Sequence, residues 1–170
     1  MILLGLGSNL SSSFGDRFKN IDLAISALNR YGIIVKKKSS YFETSSYPDK
    51  KNPKFINIVV EVDTTLPPVD LASVLIFIEE SLERKRNKKN DPRTCDIDIL
   101  DYENKILAFK YKDLDFFVPH KELVNRNFVL FPIQEIVPGW KHPKTNEPID
   151  VLIESLSDDD KNSILKIENS

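Results

Sequence analysis

The stretch Phe55–Asp63 reads FINIVVEVD, and its two-residue alternation is the clearest indication of the fold in the sequence. Its apolar residues at positions 56, 58, 60 and 62 would face one side, while Asn57, Glu61 and Asp63 would face the other. Such alternation of apolar and polar residues is typical of a β-strand with one face on a core. We therefore predict a strand here and read the neighbouring segments outward from it.

The segments before this strand predict a strand, a helix and an extended pair. Residues 2–6 form a short apolar run, and apolar residues recur every three or four positions from Phe14 to Leu28, with Gly32 as a helix stop. Two extended pieces at 33–35 and 39–42 follow, with three lysines between them as a polar break. Beyond the central strand, Pro67-Pro68 suit the first turn of a helix with an apolar face from Leu71 to Leu82. Residues 94–100 then alternate as another strand.

The resulting order over the first hundred residues is strand, helix, strand, strand, helix, strand. This order predicts an α+β fold of the ferredoxin-like β-α-β-β-α-β type, an antiparallel sheet with helices on one face. We expect a C-terminal extension of a β-hairpin and short helices, including one near 127–136 and one after Pro148. Residues 1–157 are assigned to a single domain and 158–170 to a polar, frayed tail. Because this fold hosts many activities, it constrains function little.

Composition excludes several classes of protein. The chain has 170 residues, a formal net charge of −2, two His and a single Cys95. One Cys excludes an intrachain disulfide framework and a Cys-rich zinc site, and the charge argues against a general nucleic-acid binder. No apolar run approaches the roughly 20 residues of a membrane span, and no basic segment precedes the first apolar run. We expect a soluble, cytoplasmic monomer with no nucleic-acid or membrane partner.

Basic residues are concentrated in one segment. Residues 84–93 read RKRNKKNDPR and carry six basic side chains against one acid, Asp91. In a slightly acidic chain, such a short stretch favours a local anionic ligand over a long polyanion. A solvated helix end and loop would explain the same stretch if nothing else converged there.

Two aspartates follow directly on the next strand. Asp96 and Asp98 would project to one face about 6.6 Å apart, while Cys95 packs on the other as a small apolar residue. Aligned carboxylates repel one another unless a cation lies between them. One explanation is a pair of Mg²⁺ ions bridged by these carboxylates and by substrate phosphates. The alternative is a sheet face open to water, which the short motif alone favours.

The arginines nearby shift the balance towards chemistry. Arg84, Arg86 and Arg93 flank the aspartates in the sequence, and guanidinium groups match phosphate oxygens bidentately. Carboxylate-held Mg²⁺ beside several arginines is the apparatus of phosphoryl-type transfer. The sequence contains neither a Walker loop nor a G-x-G-x-x-G motif, so any phosphate site differs from a P-loop.

Further polar residues are candidates for substrate contacts. His120 and Arg126 could reach a polyphosphate, although a backbone-bridging role for His120 is equally compatible with the sequence. Asn57 could read the edge of a flat heterocycle between aromatic rings, or it could be an exposed residue on a solvated face. His142, between Lys141 and Pro143, is predicted to be a surface residue.

Together these segments resemble the 6-hydroxymethyl-7,8-dihydropterin pyrophosphokinase family of folate biosynthesis. The similarity runs from Ile2 to about Leu156. It rests on four motifs: Gly5-Leu-Gly-Ser-Asn-Leu10, Phe55-Ile-Asn57, Pro92-Arg-Thr-Cys-Asp-Ile-Asp-Ile99, and Val118-Pro-His120 followed by Asn125-Arg-Asn-Phe128.

The resemblance implies a reaction and a set of roles. The hydroxymethyl oxygen of the pterin attacks the β-phosphorus of ATP, the pyrophosphoryl group is transferred and AMP leaves. Two Mg²⁺ ions would be held by Asp96 and Asp98, with Asp96 also near the attacking hydroxyl, and Arg84 and Arg93 would act in catalysis. The implied ATP-binding residues are Arg84, Arg86, Arg93, His120, Lys121 and Arg126. The implied pterin-binding residues are Thr44, Ser45, Tyr47, Phe55, Asn57, Asp96 and Phe128.

The sequence departs from the family pattern at two places. The aromatic residue common before P-R-T, in the loop that closes over both substrates, is replaced by the stretch 88–91, which reads KKND. The aromatic residue usual after V-P-H is Lys121. We expect the 87–93 loop to act as a mobile lid that orders on ATP binding. The competing hypothesis is a non-catalytic ferredoxin-like module whose basic loop binds a nucleotide or an acidic partner. A sugar-nucleotide transferase would need a larger nucleotide-binding domain.

Overall fold

The structure is a computed structural model that describes residues 1–46, 50–86, 88 and 90–167. Eight strands are present in this part of the chain: β1 Ile2–Ser8, β2 Ile34–Lys38, β3 Phe42–Thr44, β4 Phe55–Asp63, β5 Asp96–Tyr102, β6 Leu107–Tyr111, β7 Leu114–Val118 and β8 Ile164–Lys166. The helices are α1 Arg17–Arg30, α2 Pro68–Ser81, α3 Asn127–Ile136, α4 Ile149–Glu154 and α5 Asp158–Asn162, with a 3₁₀ turn at Leu123–Asn125.

The main sheet is antiparallel throughout. Its strand order is β5-β1-β4-β3-β8, and β2 also pairs with β4. The stretch 55–63 is therefore a central strand, between β1 and the β2/β3 pair. Strands β6 and β7 form a separate two-stranded hairpin. The mixture of helices with an antiparallel sheet predicted from the sequence is confirmed.

Helices cover both faces of the sheet, whereas the sequence predicted helices on one face. Leu4, Ile58 and Ile97 belong to the larger core, which also contains the buried residues of α1 and α2. On the opposite face, Leu3 and Val59 belong to a second core with buried residues of α3 and α4. The reason is that β4 has apolar residues on both sides at its middle, so neither face can remain in water.

Two boundaries differ from the expected ones. The helix was expected to include Phe14, but Phe14 is 53 % exposed and lies before α1. The side chain of Asp16 accepts a hydrogen bond from the Lys19 amide at 2.9 Å and caps the helix. The three lysines expected to break the strands instead lie within β2, where their side chains reach solvent. Gly32, with φ +80, follows the end of α1 as predicted.

The tail is more ordered than the sequence predicted. We expected a frayed segment from residue 158, but α5 and β8 lie there, and the description of this segment extends to residue 167. The Ser157 hydroxyl caps α5 by accepting a hydrogen bond from Asp160 N, and β8 pairs with β3. Among the helices of the described ranges, none has the length and apolar character that crossing a membrane requires.

Candidate active site

The floor of the candidate site is formed by two glycines of β1. Gly7 pairs with Asn57 on one side and with Asp96 on the other, and Gly5 pairs with Asp98. Side chains of directly paired residues project to the same face of a sheet. Asn57 and Asp96 therefore share a face, and no side chain separates them. A Cβ at Gly7 would lie 2.9 Å from Asn57 Oδ1, so the absence of a side chain there keeps the floor open.

The two aspartates of β5 are paired with three arginines, two from the basic segment 84–93 and one from the turn before α3. Asp96 Oδ1 accepts a hydrogen bond from Arg84 Nη1 at 2.9 Å, and Asp96 Oδ2 accepts one from Arg93 Nη1 at 3.2 Å. Arg126 Nη1 lies 3.4 Å from Asp98 Oδ2. The structure thus brings together the carboxylates and arginines predicted from the sequence.

The two carboxyl groups differ in their affinity for a proton. Burial disfavours the charged form of Asp96, but the positive charges of Arg84 and Arg93 hold its pKa below the usual value. Burial, and then the charge of Asp96, raise the pKa of Asp98 to about 7. A cation at the pair would favour the ionised form of Asp98.

Glu79, near the end of α2, is a site residue that the sequence reasoning missed. It is only 2 % exposed, and its Oε2 accepts hydrogen bonds from Arg84 Nη1 at 3.0 Å and Ile97 N at 2.7 Å. Its Oε1 accepts one from Arg86 Nη2. Burial, and then the charge of Asp96, raise the pKa of Glu79 against the effect of both arginines. The signal was present, because Glu79 lies four residues after Leu75 on the apolar face of the helix.

A second residue missed by the sequence reasoning is Asn9, which connects the two loops beside the site. Asn9 Oδ1 accepts a hydrogen bond from Arg93 N at 2.8 Å. Its Nδ2 donates to Ser46 Oγ and to Pro53 O, each at 3.0 Å. Asn9 is 3 % exposed, so one buried amide joins the segment carrying Arg93 to the segment before β4.

The arginine–carboxylate cluster opens into a cavity of about 230 Å³ at the β5 edge of the sheet. Apolar side chains from α2, β5 and β7 line it, including Ile76, Ile99 and Val118. Its polar lining includes His120 and Lys121 besides the cluster itself. The lining thus combines charged and apolar side chains, which suits a ligand with an apolar part and an anionic part.

His120 and Lys121 are both positioned by local contacts. His120 Nδ1 accepts a hydrogen bond from Glu122 N at 3.1 Å, as the backbone-bridging alternative anticipated. Burial, and then the charge of Arg126, lower the pKa of His120 to about 4. The neutral ring therefore keeps Nε2–H free to donate to a ligand. Lys121 Nζ lies 3.7 Å from the centroid of Phe117, so an aromatic ring of β7 lies against its ammonium group.

The predicted pterin-binding residues are only partly brought together. Asn57 is 5 % exposed, which rules out the alternative of a solvated face, and its Nδ2 donates to Thr44 Oγ1 at 3.0 Å. Thr44 pairs with Phe55 across β3 and β4. Ser45 is exposed, and Tyr47 lies outside the described residues. In the loop 87–93, positions 87 and 89 are likewise outside the described part.

Aromatic rings stand beside two of the arginines. The Arg93 guanidinium carbon lies 5.6 Å from the centroid of Phe55, and that of Arg126 lies 5.4 Å from the centroid of Phe128. Phe128 also packs against the second core. At these distances each guanidinium group can make a cation–π contact with its ring.

His142 was predicted to be a surface residue, but it is 7 % exposed. Its Nδ1 accepts hydrogen bonds from Lys144 N at 3.1 Å and Thr145 N at 3.3 Å. Its ring packs edge-on against Trp140, with centroids 6.0 Å apart. The sequence predicted exposure because Lys141 and Pro143 flank His142. In the structure, the turn that follows folds back so that its amides donate to the His142 ring. Cys95, 1 % exposed, lies in the core as predicted.

Comparison with known proteins gives these residues a family context. The family model for 7,8-dihydro-6-hydroxymethylpterin-pyrophosphokinase (HPPK) matches residues 3–138. The chain belongs to the HPPK family. This confirms the resemblance drawn from the four motifs, all of which lie within the matched residues.

Curated relatives of HPPK type support the same assignment. The chain is 33 % identical over 148 residues to the 2-amino-4-hydroxy-6-hydroxymethyldihydropteridine pyrophosphokinase of Aquifex aeolicus, covering 87 % of each protein. It is 36 % identical to the bifunctional protein FolKE of Lactococcus lactis subsp. cremoris over 93 % of this chain but 43 % of that protein. It spans 20 % of the folic acid synthesis protein fol1 of Schizosaccharomyces pombe. Some HPPK relatives are thus more than twice the length of this chain.

A solved structure shares the fold. The crystal structure of Plasmodium falciparum HPPK-DHPS with pterin and p-hydroxybenzoate superposes with a TM-score of 0.73, at 16 % identity. The match covers 98 % of this chain and 47 % of that one. At this identity, the comparison supports the HPPK fold of the chain.

Proposed function

We propose that this chain transfers pyrophosphate from ATP to the hydroxymethyl group of 6-hydroxymethyl-7,8-dihydropterin and releases AMP. One observation carries the proposal: the Asp96–Asp98 pair, faced by three arginines, lies across strand β1 from the buried amide of Asn57. A site for transfer to a heterocycle needs these two parts side by side. The family assignment and the names of the relatives support the same reaction.

The pterin would bind on the Asn57 side of Gly7. Asn57 has a carbonyl oxygen that can accept a hydrogen bond from a ring N–H or amino group, while its Nδ2 is held by Thr44. Phe55 and Phe128 can contact the faces of the ring. Tyr47 and Ser45 stay predicted contacts. Gly7 lies between Asn57 and Asp96 and has no side chain, so the hydroxymethyl group of the bound pterin would extend across it towards Asp96.

The nucleotide would bind in the cavity at the β5 edge. Its apolar part suits the adenine, and the polyphosphate would contact the arginine cluster. The proposed ATP-binding residues are Arg84, Arg86, Arg93, His120, Lys121 and Arg126. Arg84 and Arg86 are held by the buried carboxylate of Glu79, so their positions are set before the nucleotide arrives.

Asp96 and Asp98 would hold two Mg²⁺ ions. Their oxygens are the hard ligands that Mg²⁺ prefers, and the raised pKa of Asp98 supports a site for added positive charge at the pair. No group of three or more His, Cys, Asp or Glu within the described ranges is arranged to hold a metal. The remaining ligands would therefore be water and phosphate oxygens. When bound, the ions would neutralise polyphosphate charge and help to align it.

The chain's own residues would position the reactants and manage charge. The bond between the β-phosphorus and the oxygen bridging to the α-phosphorus breaks, and that oxygen leaves with AMP. The hydroxymethyl oxygen forms the new bond to the β-phosphorus, and its proton is released to water. Asp96 is kept ionised by its arginines and can accept a hydrogen bond from the attacking hydroxyl. Arg84 and Arg93 can stabilise the negative charge that develops on the transferred group.

The fold classification, the domain organisation and the partners are proposed together with the reaction. The strand order, with β5 and β4 on either side of β1, supports a ferredoxin-like classification for the first hundred residues. The hairpin and the later helices support the C-terminal extension. We also propose that the chain acts as a single domain and a monomer on small-molecule substrates, without a nucleic-acid or membrane partner.

The test is AMP formation from ATP, measured with and without the hydroxymethyl-dihydropterin and Mg²⁺. AMP should form only when both are present, and Asp96→Ala or Asp98→Ala should reduce the rate by orders of magnitude. Asp63→Ala, at the exposed end of β4, is the control and should keep the full rate. A non-catalytic module would bind nucleotide without turnover, and loss of Asp96 would leave that binding unchanged or tighter.

A further inference from the structure

The segment 157–167, called here the C-terminal strap, contacts two separate walls of the candidate site. Its strand β8 pairs with β3, where Ile164 lies opposite Thr44. The pairing continues beyond β8, because Ile167 N donates to Tyr41 O at 2.8 Å. The strap therefore forms the edge of the sheet next to the strand that carries Thr44, the hydrogen-bond partner of Asn57.

The second wall is helix α3, and Asn127 makes the connection. Asn127 Nδ2 donates to Asp160 O at 2.8 Å and to Ser163 Oγ at 3.3 Å, both in the strap. Asn127 is 8 % exposed, so little water competes for these bonds. At the other end of α3, Glu135 Oε2 lies 2.9 Å from Lys166 Nζ. The strap is thus tied to both ends of this helix.

The position of Asn127 in the sequence gives this contact a consequence for the site. Its neighbours are Arg126, which pairs with Asp98, and Phe128, which packs under the Arg126 guanidinium. No side-chain hydrogen bond caps the N-terminus of α3. The strap also lies beyond residue 138, where the family match ends.

We propose that the strap positions the pterin-binding wall by linking α3 to β3, with Asn127 as the positioning residue. Asn127 does not touch the substrate in this account; it sets the placement of Phe128 and Arg126 relative to Thr44 and Asn57. The inference rests on the proposed function for the identity of the ligand. It predicts a defect in pterin binding that exceeds any defect in ATP binding.

The decisive variants are Asn127→Asp and Lys166→Glu. Asn127→Asp keeps the size of the side chain but loses the donor and faces the Asp160 carbonyl with a negative charge. Lys166→Glu is at an exposed position and would repel Glu135 without altering the core. Asn162→Ala removes a hydrogen bond within α5 itself, to Asp158 O, and is the matched control.

Steady-state kinetics should show a rise in the KM for the pterin of about fivefold in both variants, the loss expected for one hydrogen bond. The KM for ATP should change less than twofold, and Asn162→Ala should match the wild type. Equal rises in both KM values, or no rise in the KM for the pterin, would overturn the role of the strap.

If the wild-type chain forms no AMP, the proposed reaction fails instead. Hydrogen exchange then decides on the strap: amides 42–44 must exchange faster in Asn127→Asp than in Asn162→Ala, and equal exchange would overturn it.

Discussion

The buried carboxylate of Glu79 offers a quantitative test of how the arginine cluster is held. Glu79→Gln keeps the shape of the side chain and one acceptor oxygen. That oxygen can remain on Arg84 and Ile97 N, which share Oε2 in the wild type. The new NH₂ group would then point at Arg86, whose guanidinium has only donors and would lose its partner. Arg86 should therefore be released while Arg84 stays in place.

The size of the effect follows from the contacts. A hydrogen bond between charged groups contributes about 1.5–3 kcal/mol. Burial and the charge of Asp96 already raise the pKa of Glu79, so the ionised form is less favourable than in water. This places the expected loss near the lower end, about 1.5 kcal/mol. For a domain of this size, such a loss lowers the Tm by roughly 3–6 °C. The KM for ATP should rise about tenfold, equivalent to ~1.4 kcal/mol of lost binding.

The assay combines thermal unfolding with steady-state kinetics, and Glu80→Gln serves as the control. Glu80 is the exposed neighbour of Glu79 on the same helix, so its variant should match the wild type in both measurements. A Glu79→Gln variant with unchanged Tm and unchanged KM for ATP would refute the reasoning. A fall in Tm with an unchanged KM for ATP would show that Glu79 supports the fold without positioning the arginines.

Three further predictions concern other parts of the molecule. The pKa of Asp98 is raised to about 7, so the folded state loses stability as the pH rises from about 4 to about 7. In thermal melts with a chelator, Asp98→Asn should raise the Tm at pH 8 and leave it nearly unchanged at pH 4; equal shifts would contradict this. Trp140→Phe removes the indole N–H that donates to Asp101 Oδ2 at 2.9 Å, and it should lower the free energy of unfolding by about 1–3 kcal/mol. Denaturant unfolding measures this loss, and an unchanged free energy of unfolding would contradict the prediction. Gly7→Ala would press on Asn57 Oδ1 and should weaken pterin binding in calorimetry more than ATP binding, whereas equal losses would argue against two separate subsites.

Much of the site could be predicted from the sequence because strand periodicity carries its geometry. Asp96 and Asp98 alternate with apolar residues on β5, which places both carboxylates on one face. The same period places Asn57 on the polar side of β4. The HPPK resemblance added the roles of the arginines, which periodicity alone does not assign.

What the sequence did not predict depends on contacts between distant segments. The place of Glu79 on the apolar face of α2 marks it as unusual, but its partners Arg84, Arg86 and Ile97 meet it only in the folded chain. The second core is equally non-local, since Val59 is one apolar residue in a strand until α3 and α4 cover it. Most of the strap is polar, and its few apolar residues at 164, 165 and 167 are too short a run to predict the pairing of β8 with β3.

The most direct test of the central claim is the identity of the products. The chain, incubated with ATP, Mg²⁺ and 6-hydroxymethyl-7,8-dihydropterin, can be followed by ³¹P NMR and mass spectrometry. The account predicts AMP and a diphosphorylated pterin in equal amounts, because the β-phosphorus is attacked and two phosphoryl groups move together. Formation of ADP with a monophosphorylated pterin, or an unchanged pterin, would contradict it.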